Sequence, residues 1–326
     1  MPSATKTKGF DLKKFIGDNS AIAAFVFIFV ISVLLKGGVF LSYNNIINIL
    51  RNNSIIGIIA LGMTLVIITG GIDLSVGSAL VIVGIAILWV TNVTGNILLG
   101  LLVGVVAGIL LGALSGALVA KFKLPAFIVT LGTMSIYRSV SQQLLNGGGI
   151  MIGGPVKDPF IAISNSSLFN VIPMPVLYWI AISVVVYLFA MKTTTGRHVY
   201  AVGSNEKATL LSGINVDRVK IIVYAISGLL VALAAIVESS RLGSINSASS
   251  GSSYEMDAIA AAVVGGTSMA GGKGKIIGTF CGTLTLGVIN NMMTLLGVPP
   301  FLVGAVKGLI IIGAVLLQWK LNEKNA

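Results

Sequence analysis

The sequence predicts an all-α integral membrane protein of about ten transmembrane helices, some of them broken or re-entrant, and three observations carry that expectation. Hydrophobic residues make up 56% of the 326 and charged residues only 10%, against about 25% charged in an ordinary soluble domain. The mean hydropathy is +1.01. Apolar runs recur along the whole chain, many close to the roughly 20 residues that cross a bilayer, and the cations cluster at their ends. A net charge of +11 would raise nucleic-acid binding in a soluble protein. Here the cations anchor to lipid headgroups and set orientation, so no nucleic-acid partner is expected. The single cysteine, Cys281, lies inside an apolar run, so the chain has no internal disulfide.

Residues 1–20 contain Lys6, Lys8, Lys13 and Lys14 and read as a cytoplasmic segment. The run from Ala21 to Leu35 is a first span and not a signal peptide, because Lys36, Gly37 and Gly38 follow it where a small-x-small cleavage pattern would be. Further apolar segments lie near 45–69, 76–91, 97–120, 125–145, 176–191, 220–238, 256–271, 276–293 and 302–318. Those near 76 and 256 are marginal in length and read as broken or re-entrant. Ten passes within 21–318 place Lys121, Lys123, the 192–220 stretch, Lys273, Lys275 and the tail 319–326 in the cytoplasm, as the positive-inside rule asks, while Lys36 and Arg51 run against it. The glycine-, serine- and proline-rich region 146–175 is then an extracytoplasmic loop.

The fourth apolar run places Gly100, Gly104, Gly108, Gly112 and Gly116 on one ridge with a period of four. A ridge without side chains lets another helix approach its backbone. Two readings compete: a sliding contact during a conformational cycle, and static packing.

Two glycine-rich breaks resemble each other. ITGGIDLSVGS holds Gly70, Gly71 and Gly77, and VVGGTSMAGGKGK holds Gly265, Gly266, Gly271 and Gly272. Each follows one apolar helix and precedes another, in the same orientation, as a decayed internal repeat would. Such breaks are tolerated where protein or water satisfies the freed backbone groups, which places them in the bundle interior. Asp73 is the sharpest residue here, either a functional intramembrane carboxylate or a cap for the helix that starts nearby.

The stretch from Lys192 to Lys220 is the long charged interruption, with Lys192, Arg197, Lys207, Arg218 and Lys220 against Glu206 and Asp217. One short helix, Asn205 to Ser212, is expected in it. Ser204 is the expected cap, Glu206 lies in the first turn and Gly213 is the left-handed stop. Two turns are too short to be stable alone. Ala208 and Leu211, with Ile214 nearby, form a small apolar side that needs a surface. The competing reading is a solvated loop with a frayed turn.

TGRHVYAVGSNEKATLLSGINV resembles the cytoplasmic coupling segment in permease subunits of bacterial ABC importers for ribose and related monosaccharides, through Arg197, Gly203, Glu206, Ala208 and Gly213 in order. GGIDLSVG and MDAIAAAVVGGTSMAGGKGKIIGT, with INN and LLGV, resemble the same family, so that the likeness runs from about Asn44 to the end except for 146–175. The resemblance implies an ABC importer permease-like fold in the bacterial cytoplasmic membrane and a short helix that docks on the ATP-hydrolysing partner. It further implies a soluble sugar-binding protein outside, two ATP-binding cassette chains inside and a second permease subunit, identical or a close relative. The chain itself would need no cofactor, ATP being bound by the partner subunits. A neutral polyol is matched by hydroxyl and amide groups, and Thr64, Thr69, Ser75, Asn290 and Asn291, with Asp73, are the pathway candidates. Each has the alternative of bonding a neighbouring helix carbonyl. Glu255 and Asp257, at a helix start, divide evenly between capping and sugar contact.

No enzymatic motif stands beside these. In GGTSMAGGKGK the template G-x-x-x-x-G-K-[ST] fails, because Thr267 and Met269 stand where glycine is required and no serine or threonine follows Lys273 or Lys275. His198 is the single histidine and lies beside Arg197, a poor metal ligand set. The runner-up is an ion-coupled secondary transporter of a small polar solute, for which Asp73 and Glu238 are the few candidate ion sites.

Overall fold

The computed structural model describes residues 20–323; the segment 1–19 and residues 324–326 of the tail lie outside the described residues. Thirteen α-helices make up most of that range. They are α1 (Ser20–Phe40), α2 (Tyr43–Ile68), α3 (Val76–Thr94), α4 (Ile97–Lys121), α5 (Ala126–Leu144), α6 (Lys157–Asn165) and α7 (Met174–Lys192). The remainder are α8 (Thr194–Ser204), α9 (Glu206–Leu211), α10 (Val216–Leu242), α11 (Tyr254–Val264), α12 (Ile276–Leu295) and α13 (Pro300–Glu323).

Among the described residues, seven helices are long and apolar enough to cross a membrane: α1 to α4, α7, α10 and α12. The other three expected passes take different forms. Helix α5 has 19 residues but carries Arg138, Gln142, Gln143 and several hydroxyls. Helix α11 has only 11 residues, and the apolar part of α13 is Phe301–Gly313. One expectation is corrected: the run near 76 is not broken. It is a continuous helix from Val76 to Thr94, and the break lies before it.

Helix α2 is the axis of the bundle, its residues from Ile55 to Ile68 nearly all buried. Helices α7, α10, α11 and α12 pack around it, and Gly57 lets the Trp179 ring of α7 lie against its backbone. Helix α1 is peripheral. It kinks at Lys36, whose φ of −142° and ψ of 33° leave the helical region, and Phe25, Phe29 and Phe40 attach it to Ile49, Val288 and Met292.

The glycine ridge of α4 meets two helices. A Cβ on Gly100 or Gly104 would enter Thr91 or Ile87 of α3, and one on Gly108, Gly112 or Gly116 would enter Gly228, Tyr224 or Ile221 of α10. Gly228 faces Gly108 reciprocally, so the two backbones pack directly, the contact that small-xxx-small faces allow.

Region 146–175 is folded. Its strand β1 (Gly149–Met151) pairs antiparallel with β4 (Ser244–Asn246), with Ile150 opposite Ile245. Strands β2 (Ser167–Leu168) and β3 (Ile172–Pro173) form a tight hairpin. Between them α6 docks on α10 through a 2.6 Å hydrogen bond joining the Ser164 and Ser240 hydroxyls. At the opposite end of the bundle lie α8, α9 and the two glycine-rich breaks.

Candidate functional site: the 192–220 stretch and the helix breaks

The 192–220 stretch contains two helices where one was expected. Thr193 opens α8 by accepting the Gly196 N–H at 2.9 Å, and Val199 and Val202 bury its inner side. Ser204, the expected cap, is the last residue of α8. Asn205 takes that part instead: its backbone is extended (φ −161°, ψ 100°) and its side chain accepts the Ala208 N–H at 2.9 Å. An asparagine caps as well as a serine, and its extended backbone separates two helices that a helical Asn205 would have fused.

Helix α9 therefore runs from Glu206 to Leu211. Glu206 lies in its first turn and pairs with Lys220 of α10 at 2.8 Å, a surface ion pair worth about 0–1 kcal/mol. Its other end is a Schellman closure. Gly213, at φ +81°, donates to Leu210 O at 3.0 Å and Ile214 donates to Thr209 O at 3.3 Å. With both ends closed, Thr209 points into the protein while Ala208, Leu210 and Leu211 point out; Leu211 is 87% exposed. Leu210 escaped the sequence reading because a single i, i+3 pair marks one edge of an apolar face and not its width. A groove of about 650 Å³ beside α9 is lined by Leu210, Ile214, Lys123, Lys207 and Asp217. Arg197 is exposed.

The 192–220 stretch is fastened to both helix breaks, a junction no local pattern announced. Gly203 packs so tightly that a Cβ there would enter Ile68 O at the end of α2 and the Gly272 N–H of the second break. Those two are themselves hydrogen-bonded at 2.9 Å. Tyr200 of α8 donates its hydroxyl to Gly274 O at 3.0 Å, and burial pushes that phenol's pKa up, which keeps it a donor.

The two breaks end their helices identically. At the first, Gly70 (φ +81°) donates to Ile67 O and Gly71 to Val66 O. At the second, Gly266 (φ +87°) donates to Val263 O and Thr267 to Ala262 O. Both are Schellman closures at the same end of the bundle.

Asp73 is buried and holds the turn before α3. Its Oδ1 accepts the Ser75 N–H at 3.0 Å and the Ser75 hydroxyl at 2.6 Å, and its Oδ2 accepts the Ser227 hydroxyl of α10 at 3.5 Å. Thr64 donates to Ala60 O and meets the Thr279 hydroxyl of α12 at 2.6 Å. Thr69 donates to Val66 O and borders a cleft of about 310 Å³ together with Gly70, Gly71, Lys123 and Glu206. Asn291 exchanges two hydrogen bonds with Asn45 of α2, and Asn290 is half-buried beside it. Asp257 is paired with Lys307 of α13 at 2.8 Å, whereas Glu255 packs against Gly77 at the start of α3.

Residues 45–315 match the family described as branched-chain amino acid transport system / permease component. The ribose import permease protein RbsC of Haemophilus influenzae is 41% identical over 98% of this chain and 98% of its own length. Its namesake from Bacillus subtilis is 44% identical over 90% of this chain and 91% of its own. The xylose transport system permease protein XylH of Haemophilus influenzae is 34% identical over 88% and 92%. No solved structure matches significantly.

Proposed function

We propose, from the premise that the chain belongs to the branched-chain amino acid transport system / permease component family, that it is the membrane subunit of an ATP-driven importer carrying a ribose-like monosaccharide. The family is one of membrane permeases, so the chain is a multi-pass transporter subunit of the bacterial inner membrane and not an enzyme. The sugar reading is supported by relatives named for ribose, xylose and L-arabinose permeases.

In this reading α5, α11 with the segment before it, and α13 complete ten passes, with α8 and α9 in the cytoplasm and region 146–175 outside. A soluble binding protein docks outside, ATP-binding cassette subunits dock inside and hold the nucleotide, and a second permease subunit completes the path. The chain binds no cofactor of its own.

One observation carries the proposal: α9 is closed at both ends yet leaves Ala208, Leu210 and Leu211 bare, and behind it Gly203 and Tyr200 are fixed to the two helix breaks. An apolar face on so short a helix needs a partner. Force applied there reaches the ends of α2 and α11 through backbone contacts.

Ala208→Asp tests it. A desolvated carboxylate without a partner costs several kcal/mol at the docking surface while changing nothing in the membrane. The variant is expected to insert normally, to lose its ATPase in a pull-down from membranes, and to lose ribose-stimulated ATP hydrolysis with the binding protein. Retained ATPase with normal coupled turnover sinks the proposal. Uptake of leucine and not of ribose by the wild-type importer would shift the substrate to the amino acids named in the family description.

A further inference from the structure

Helix α5 is odd for a membrane helix. Ser135, Ser139 and Gln142 are all exposed and, spaced four and three apart, share one face. The Ser135 hydroxyl donates to Leu131 O at 3.1 Å, but hydrocarbon offers Ser139 and Gln142 no hydrogen bonds, so their side of the stripe does not face lipid. It fronts a cleft of about 470 Å³ between α5 and the segment leading into α11, with Ser78 of α3, Arg138, Ser252 and Glu255 on its other walls. That volume lies within the range of about 300–1,000 Å³ typical of small-molecule sites. Arg138 is 12 residues from the start of α5 and six from its end, or about 18 Å and about 9 Å at 1.5 Å per residue, so with α5 as one of the ten passes proposed above the cleft lies within the membrane.

Its walls are built, not incidental. Arg138 is seated by Nη1, which donates to Ser247 O at 3.0 Å and Ser250 O at 2.8 Å, and the rest of its five-donor fork is not used by those bonds. Opposite it, Gly77 and Gly251 meet backbone to backbone and place Glu255 against the start of α3. Asp257, the other acid of that turn, is consumed by Lys307, so Glu255 is the acid left facing the cleft. A guanidinium, a carboxylate, an amide and hydroxyls around one open space supply donors and acceptors together, which is what the hydroxyls of a neutral polyol require.

We propose that this cleft is a station where the sugar's hydroxyls are bound inside the membrane, contacted by Gln142, Ser139, Arg138 and Glu255. The proposal rests on the sugar-permease reading above.

The test uses membrane vesicles holding the complete importer, with Cys281→Ala as the parent, into which Ser139→Cys, Gln142→Cys or Val140→Cys is introduced. Val140 is exposed on the neighbouring apolar face of α5. A hydrophilic methanethiosulfonate is expected to modify positions 139 and 142 but not 140, and to abolish uptake of radiolabelled D-ribose while ATP hydrolysis persists. Glu255→Gln is expected to shift the preference among ribose, xylose and arabinose by roughly tenfold, the scale of one buried hydrogen bond to a charged group. Absence of modification at 139 and 142 in every nucleotide state, or ribose uptake that survives modification, overturns the station alone. A parent importer that carries leucine and no monosaccharide overturns the sugar reading, and this proposal with it.

Discussion

The two helix breaks close alike and are braced differently. The first follows a 26-residue buried helix, and Asp73 pins the short connection to α3 from within, through Ser75 and Ser227. The second follows an 11-residue helix and has no acid in its loop. Its turn is held by backbone bonds, Ser268 N–H to Lys273 O and Gly271 N–H to Ser268 O, and from outside by Tyr200, with Gly203 packed against it. The 192–220 stretch touches both breaks, but an acid in the core pins only the first, and a hydrogen bond from Tyr200 holds only the second. A movement of α8 therefore acts on the second break directly and reaches the first through the last turn of α2 and through Gly271, which lies against Gly70.

The largest effect is expected where the two breaks touch. Gly203→Val drives a branched side chain into Ile68 O and the Gly272 amide, backbone that cannot step aside, and should cost the upper end of the about 1–3 kcal/mol of overpacking or more. Thermal unfolding in detergent reads it, and an unchanged midpoint would mean that the breaks are not joined. Next, Asp73→Leu removes the acceptor for two Ser75 donors and should cost about 1–3 kcal/mol. Asp73→Asn keeps an acceptor and should cost less, while retaining ribose uptake. An Asn variant that folds but carries no sugar would show that the charge itself is used.

A smaller, matched pair sharpens the comparison. Gly70→Ala and Gly266→Ala each force a Cβ into left-handed backbone, at about 1–2 kcal/mol. Equal losses support equivalent closures, and a loss at one position alone breaks the pairing. The smallest effect, about 1 kcal/mol for one hydrogen bond, is expected for Tyr200→Phe, with coupled ATP turnover falling more than stability does. Unaltered coupling would confine Tyr200 to packing.

Local features were legible because their causes lie within a few residues. Composition and apolar run length determined a helical membrane protein, the period of four determined a ridge that admits a second backbone, Gly213 marked a left-handed helix stop, and the glycines near 70 and 266 marked breaks between helices. Even the misplaced cap at Ser204 was wrong by one residue, since serine and asparagine compete for that role on nearly equal terms. What required the tertiary structure was every meeting of distant segments: Gly203 with Ile68 and Gly272, Thr64 with Thr279, Arg138 with the carbonyls before α11. A serine or glutamine in a membrane helix reads the same whether it bonds its own backbone, a neighbouring helix or a passing solute. Packing alone decided that Thr64 and Asp73 turn inward to partners while Ser139 and Gln142 face open space.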